Sequence, residues 1–263
     1  MLRFDKGLRA LFINRAGFSL VELSIVLVIL GLLTGGILAG QSLIHAAGLR
    51  SITVERDKYS TALSTFRDKY FQIPGDMNNA FQFWGTTCGT NDAVASTGCN
   101  GNGNGLVEDS NSTGENLKLW EHLARSGLIE GLYDGVGVIA VNYSVADTRN
   151  VPKSKFSSVY WEASHMVSMT SEYYSNIMGS AVENNLWLHF GSIASGSTGL
   201  QYATSLTRAD AWNIDTKTDD GRANTGSMRG DGTADCFDMT TTDPYNLSSD
   251  STAQDCILHF KIF

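Results

Sequence analysis

The chain has 263 residues, 42% of them hydrophobic and 17% charged, and 19 Lys and Arg against 27 Asp and Glu leave a formal net charge of −8. That is apolar enough to build a core, which excludes a disordered polyampholyte. It is acidic enough to argue against a nucleic-acid binder working by bulk charge, and four Cys in this length exclude a disulfide-dense miniprotein while permitting two bridges.

The first seventeen residues are basic, with Arg3, Lys6, Arg9 and Arg15 against the single acid Asp5. An apolar run follows over residues 18–40 and holds one charge, Glu22; the next Lys, Arg, Asp or Glu is Arg50. About 20 apolar residues span a hydrocarbon core of ~30 Å as a helix. Basic residues on the N-terminal flank keep that end in the cytoplasm. The pattern predicts one span, N-terminus inside and the rest of the chain outside. A cleaved secretory signal is the plain alternative, but its apolar core is shorter, about 7–15 residues, and has no reason to hold an acid. An unpaired carboxylate in lipid is costly, which marks Glu22 as functional.

The stretch Ala16-Gly17-Phe18-Ser19-Leu20-Val21-Glu22, behind a basic leader and ahead of a long apolar run, resembles the processing site of type IV prepilins and type II secretion pseudopilins. The resemblance implies cleavage after Gly17 by a prepilin peptidase, N-methylation of Phe18 and an assembly role for Glu22. The partners it implies are the membrane, the peptidase, an inner-membrane assembly platform, and other copies or related pilins in a helical filament. Nucleic acid is not an expected partner, since the later sequence has no Lys/Arg cluster. The implied location is the inner membrane as a single-pass protein before assembly, and a pilus or periplasmic pseudopilus after it. In a dry core Glu22 needs a cation. The α-ammonium of Phe18 on a neighbouring subunit is the natural one, because it exists only once the leader is gone and methylation leaves it charged. Many major pilins carry a Pro within the span, where this chain has Ala39. Gly31, Gly35, Gly36 and Gly40 stand nearby instead, and each weakens a helix by ~1 kcal/mol relative to Ala. Local unwinding in a filament is therefore expected between Gly31 and Gly40.

Beyond Gly40 the pattern turns amphipathic. Leu49, Ile52, Tyr59, Leu63, Phe66 and Tyr70 recur at helical spacing. Arg50, Glu55, Arg56, Asp57, Lys58, Arg67, Asp68 and Lys69 are expected on the opposite, solvated surface. Pro74 stops the helix, which would run about 80 Å over residues 18–71. The resulting boundaries are a leader at 1–17, a transmembrane or filament-core helix at 18–40, an amphipathic half at 41–71 and a periplasmic or extracellular head at 72–263. The fold class is α+β, and the resemblance implies the pilin lollipop: a long N-terminal helix packed on a mainly antiparallel β-sheet head with large loops.

In the head, Asp76 or Asn78 is expected to cap a helical turn through Trp84. A Gly/Asn/Ser-rich loop follows over 86–112. Ser112-x-x-Glu115 reads as a capping box opening a helix with Leu117, Trp120, Leu123 and Ala124 on one side, ended by Gly127. Strands are expected at 136–143, 158–163 and 186–190. Thr207-x-x-Asp210 can cap a second short helix holding Ala211, Trp212 and Ile214. The C-terminal segment alternates, with Cys256, Leu258, Phe260 and Ile262 against Ile257, His259, Lys261 and Phe263, which predicts a half-buried closing strand. The Ile-Pro-Gly-Asp turn, the Asn/Gly loop, Trp-x-His-Leu, Gly-Leu-Ile-x-Gly and Ile-Asp-Thr-Lys-x-Asp-Asp-Gly together resemble a bacterial pilin-like group with large heads.

Sequence order and proximity favour the bridges Cys88–Cys99 and Cys236–Cys256, which an oxidising compartment permits. The second is similar to the disulfide-bounded loop of many type IV pilins. Four Cys allow three connectivities, and zinc is the weaker reading without a Cys-x-x-Cys pair. No cofactor is required, and structural calcium is the one candidate. Asn100, Asn102 and Asn104 ahead of Gly105 have the oxygen spacing of a calcium loop, but they offer amides, and Asn111 stands at the twelfth position; a flexible Gly/Asn loop is the alternative. Asp215, Asp219 and Asp220 are better charged and either converge on a hard cation or cap turns. Gly-x-x-x-x-Gly-Lys-Ser/Thr, His-Glu-x-x-His and Gly-x-Ser-x-Gly are absent, and Gly135-Val-Gly137 lacks a βαβ context, so an enzyme is not expected. Glycosylation triplets begin at Asn111, Asn142 and Asn246. Two functions stay open: a structural subunit of a type IV pilus or pilus-like secretion filament, and a minor or tip pilin serving as an adhesin, a DNA-uptake module or a secretion-substrate binding module. Glu22 favours the first.

Overall fold

Apolar side chains at steps of three and four fold as one long helix, α1 (Leu20–Tyr70). The computed structural model describes residues 17, 19–85, 88, 98–108, 114–135, 151–157, 159–165, 185–193, 202–232, 236, 245, 247 and 253–263. Outside the described residues lie Phe18, the leader ahead of Gly17, the expected strand at 136–143, Ser112, and Asn111, Asn142 and Asn246 of the glycosylation triplets. The chain divides into two compact units, residues 1–46 and 47–263. In the first, every Leu, Ile and Val of α1 from residue 20 to residue 44 is at least half exposed. This is the apolar window that gives α1 the length and composition to cross a membrane.

In the second unit α1 buries Ile52, Tyr59, Leu63 and Phe66. They pack on a sheet of antiparallel strands ordered β1-β2-β5-β4, namely β1 (Tyr160–His165), β2 (Leu186–Ile193), β5 (Cys256–Lys261) and β4 (Met228–Gly232), while the short β3 (Tyr202–Ala203) pairs with the end of β2. One sheet face is apolar: Trp161 lies opposite Phe190, Phe190 opposite Leu258, and Leu188 and Met228 opposite Phe260. Tyr59 meets Trp161 edge-on at 5.6 Å and Trp120 at 5.1 Å, so its ring joins α1, the sheet and the segment holding Trp120. Such pairs stabilise by about 0.5–1.5 kcal/mol beyond area burial.

Four expectations change. Glu55 is not on the solvated surface of α1; it is buried against the head. β5 is not half-buried, because it lies between β2 and β4 and both its faces are covered, His259 fully so. The short helix α2 (Ala80–Trp84) has Asn79 at its N-cap without a side-chain bond; the Phe81 N–H donates to Asn100 Oδ1 instead. The helix α3 (Glu115–Arg125) starts at Glu115 behind Gly114, whose φ is 56°, so Glu115 is the first helical residue rather than the third of a capping box. Its C-terminus closes as expected at Gly127: the Leu128 N–H donates to Leu123 O and the Gly127 N–H to Ala124 O, a Schellman arrangement.

The last helix, α4 (Arg208–Thr218), is capped by Thr207, whose Oγ1 accepts from the Asp210 N–H. It buries Ala211 and Ile214 and leaves Trp212 partly exposed. Disulfides join Cys88 to Cys99 and Cys236 to Cys256, with Cα separations of 5.3 and 5.2 Å. The first holds the loop before α3, and the second ties β5 to the segment leaving β4.

Candidate functional site

At the N-terminal end, Ser19 stands just ahead of α1 and Glu22 lies in its first turn. Glu22 Oε2 accepts the Ser19 N–H at 2.8 Å, and Ser19 Oγ accepts the Val21 N–H at 3.3 Å. Ser19-Leu-Val-Glu22 is thus a capping box, with the acid reaching back over the helix start. Helix N-termini also favour a carboxylate electrostatically. Sequence reasoning placed Glu22 by its charge and its distance from Gly17; the Ser-x-x-Glu spacing was the signal for the cap. The carboxylate sits at the backbone nitrogen one residue after Phe18.

The second candidate lies in the head. Carboxylate oxygens of Asp215, Asp219 and Asp220, at the end of α4 and the turn after it, fall within 4.8 Å of one another. Asp215 is fully buried; it accepts from the Gly221 N–H at 3.2 Å and the Tyr245 hydroxyl at 2.9 Å. Asp219 accepts from the Ser227 and Met228 N–H groups at 2.6 and 2.9 Å. Asp220 accepts from the Arg222 N–H and the Thr225 hydroxyl. Burial first, and then the charges of Asp220 and Asp219, push Asp215 up to about 6, against the lowering by its two donors. Hard oxygen donors at this spacing suit calcium chemistry, and the same oxygens also act as turn caps.

Asn100, Asn102 and Asn104 are not part of that cluster. Their side-chain oxygens accept the N–H groups of Phe81, Asn104 and Leu106. The loop's own N–H groups turn inward to two buried acids. Asp76 takes Gly103, Asn104 and Gly105, and Glu115 takes Asn102 and Glu108. The sequence does not show either acid in this role: Asp76 reads as a cap for its own helical turn and Glu115 as a capping-box member. Gly75 permits the approach: its φ is +91°, and a Cβ there would collide with the Glu115 carbonyl.

Residues 13–38 match the family described as the prokaryotic N-terminal methylation motif. The matched span takes in Gly17, Phe18, Ser19 and Glu22, and the motif is the signature of type IV pilins and pseudopilins. No curated protein and no solved structure matches the chain.

Proposed function

We propose that this chain is a structural subunit of a type IV pilus or pilus-like secretion filament, cleaved after Gly17, methylated on Phe18 and polymerised through α1. The observation that carries this reading is the methylation motif at the head of a helix whose leucines, isoleucines and valines from residue 20 to residue 44 are all at least half exposed. Exposed leucines and isoleucines at this density are stable only in lipid or against other helices, and a filament subunit passes from the first environment to the second. The basic leader holds the N-terminus inside, so the head lies outside the inner membrane. Removal of the leader creates an ammonium one residue before the Ser19 N–H that Glu22 now accepts. The Glu22 carboxylate, already at the helix start, is then placed for that ammonium or for the one on a neighbouring copy. In a dry core such a pair forms readily only when both charges are present. For the head we propose a structural calcium ion at Asp215, Asp219 and Asp220, supported by the mutual approach of the three carboxylates.

The test is the intact mass of the protein from sheared surface filaments and from membranes. A mass beginning at Phe18 plus one methyl group in the sheared fraction supports a surface pilin. The same mass confined to membranes supports a secretion pseudopilin or rare minor subunit. A chain that keeps its first seventeen residues beside an active prepilin peptidase overturns the reading.

A further inference from the structure

Loop 98–108 is held largely by side chains whose hydrogen-bonding role depends on a proton. At one end, His122 Nε2 donates to Cys99 O at 2.8 Å and its Nδ1 accepts the Gly75 N–H at 2.8 Å. At the other, His165 Nδ1 accepts the Val107 N–H at 2.8 Å, and the His165 N–H donates back to Val107 O at 2.8 Å. Between these pins the N–H groups of 102–105, and just past Val107 that of Glu108, go to the carboxylates of Asp76 and Glu115. Gly101 and Gly103 also bond to the carbonyls of Met77 and Asp76. Cys99 and Val107 are buried, whereas Asn102, Gly103, Asn104 and Gly105 between them are exposed, so the loop has little apolar adhesion of its own.

From this geometry we propose that loop 98–108 is an acid-released strap, pinned by the neutral imidazoles of His122 and His165: a second proton at His165 Nδ1 breaks the Val107 pin itself, and one at His122 Nδ1 breaks the Gly75 bond that seats the Asp76 clamp, while His122 Nε2 still donates to Cys99 O. A proton on either Nδ1 sets one N–H against another: His122 against Gly75, His165 against Val107. An acceptor becomes a donor facing a buried donor, and the arrangement cannot persist. Burial holds both imidazoles down to about 4. An opened loop returns them toward ~6.5. Opening therefore takes up protons below about pH 6.5, and its equilibrium constant rises by up to about tenfold per pH unit for each histidine down to about pH 4.

Other charges face the pins. Lys118 and Arg125 of α3 oppose the proton on His122. Asp76 and Glu115 stand above the ordinary carboxylate range, by burial first, with Glu108 beside both. Raised carboxylates take protons in the closed state and so favour it as pH falls. They offset part of the histidine effect, which makes about 100-fold per pH unit the ceiling for the pair. The Cys88–Cys99 bridge keeps the released end tethered.

The experiment is hydrogen–deuterium exchange of the full chain in detergent micelles, from about pH 7 to about pH 4.5, corrected for intrinsic exchange. Expected is a rise in loop 98–108 well ahead of β1, β2 and β5, with a slope between about tenfold and about 100-fold per pH unit. His165→Asn keeps an acceptor near the Nδ1 position and does not titrate; it is expected to lower the slope by about tenfold per pH unit. An unchanged slope in that variant overturns the proposal. So does a wild-type loop whose corrected exchange is flat with pH, or one that rises only together with the strands. The wild-type series decides by itself should the variant not fold.

Discussion

The Nε1–H of Trp161 on β1 donates to Glu55 Oε2 on α1 at 2.7 Å. The other carboxylate oxygen accepts the Lys155 N–H at 2.9 Å. One helix acid thus satisfies two donors, on a strand and on the loop before it, and fixes the rotation of α1 against the head. Removing the acceptor leaves the buried Trp161 donor without a partner, at about 1–3 kcal/mol, while the Lys155 N–H lies in an exposed residue that water can reach. Glu55→Ala is expected to lower the unfolding free energy by about 1–3 kcal/mol. Glu55→Gln should recover part of it, since an amide offers one oxygen. A double-mutant cycle with Trp161→Phe in denaturant tests the pair, and additivity within about 0.5 kcal/mol would refute the coupling.

A second buried relay crosses the polar face of the sheet, where Glu162 lies opposite His189, His189 opposite His259, and His259 opposite Arg229. Ser164 Oγ is 3.0 Å from His189 Nε2, His189 Nδ1 is 2.7 Å from His259 Nδ1, and His259 Nε2 is 3.5 Å from Asp231 Oδ2. One proton order fits all three contacts. His259 donates toward the carboxylate, His189 donates to His259, and Ser164 donates to His189. Burial, and then the neighbouring His259, hold His189 well below the ordinary histidine value. The unfolded chain binds this proton from about pH 6.5 downward and the folded chain does not. Stability from this site is therefore full above about pH 6.5 and falls by about 1.4 kcal/mol per pH unit below it. His122 and His165 add slopes of their own, so denaturant titrations from about pH 7.5 to about pH 5 should give a slope lower by that amount in His189→Gln than in wild type. Equal slopes in the two proteins would mean that His189 takes up no proton on unfolding in this range.

How much of this was legible in the sequence depends on whether a residue's partner is local. The span and amphipathic half of α1 follow from spacing alone, as do the Thr207 cap and the Gly127 stop. Glu55 does not, because an acid leading into the charged run Arg56-Asp57-Lys58 reads as solvated until Trp161, 106 positions away, supplies a donor. β4 has the sequence Met-Arg-Gly-Asp-Gly, without the branched or aromatic residues of a strand. Gly230 stands there because a Cβ would crowd the Tyr245 ring at 2.9 Å. β5 alternates in sequence yet is covered on both faces, since His259 finds polar partners inside the sheet. At the candidate sites, the charge of Glu22 and the i, i+4, i+5 spacing of Asp215, Asp219 and Asp220 were visible. The Asp76 and Glu115 clamp was not, because its donors are backbone groups of a loop that composition reads as loose.

Calcium at the three aspartates has a direct check. Each carboxylate is held by backbone or hydroxyl donors of the same turn, so a cation that relieves their repulsion also stiffens that turn. Heating scans are expected to give a higher midpoint with millimolar calcium than with chelator. Ligand linkage gives about 2.7 kcal/mol at one hundred times the dissociation constant. Asp219→Asn should abolish most of the difference. Equal midpoints in wild type with calcium and with chelator would leave the aspartates as turn caps only.

Glu22 carries two roles that one substitution can separate. In the structure it caps its own helix through the Ser19 N–H, a bond of the kind that stabilises a helix end by about 0.5–2 kcal/mol. In an assembled filament it would meet an ammonium that exists only after cleavage. Glu22→Gln keeps an acceptor for Ser19 but removes the charge, whereas Glu22→Ala removes both. If assembly needs the charge, both variants insert normally and both lose filament yield by a similar factor. Were the cap the essential part, Glu22→Gln would assemble like wild type and only Glu22→Ala would fail. We expect the first pattern, because at a membrane interface water would replace a lost cap, while nothing apolar in a filament core would replace a lost counter-charge. Quantifying sheared filaments against membrane-inserted protein in the three strains distinguishes them, and wild-type yield from Glu22→Ala would remove Glu22 from assembly altogether.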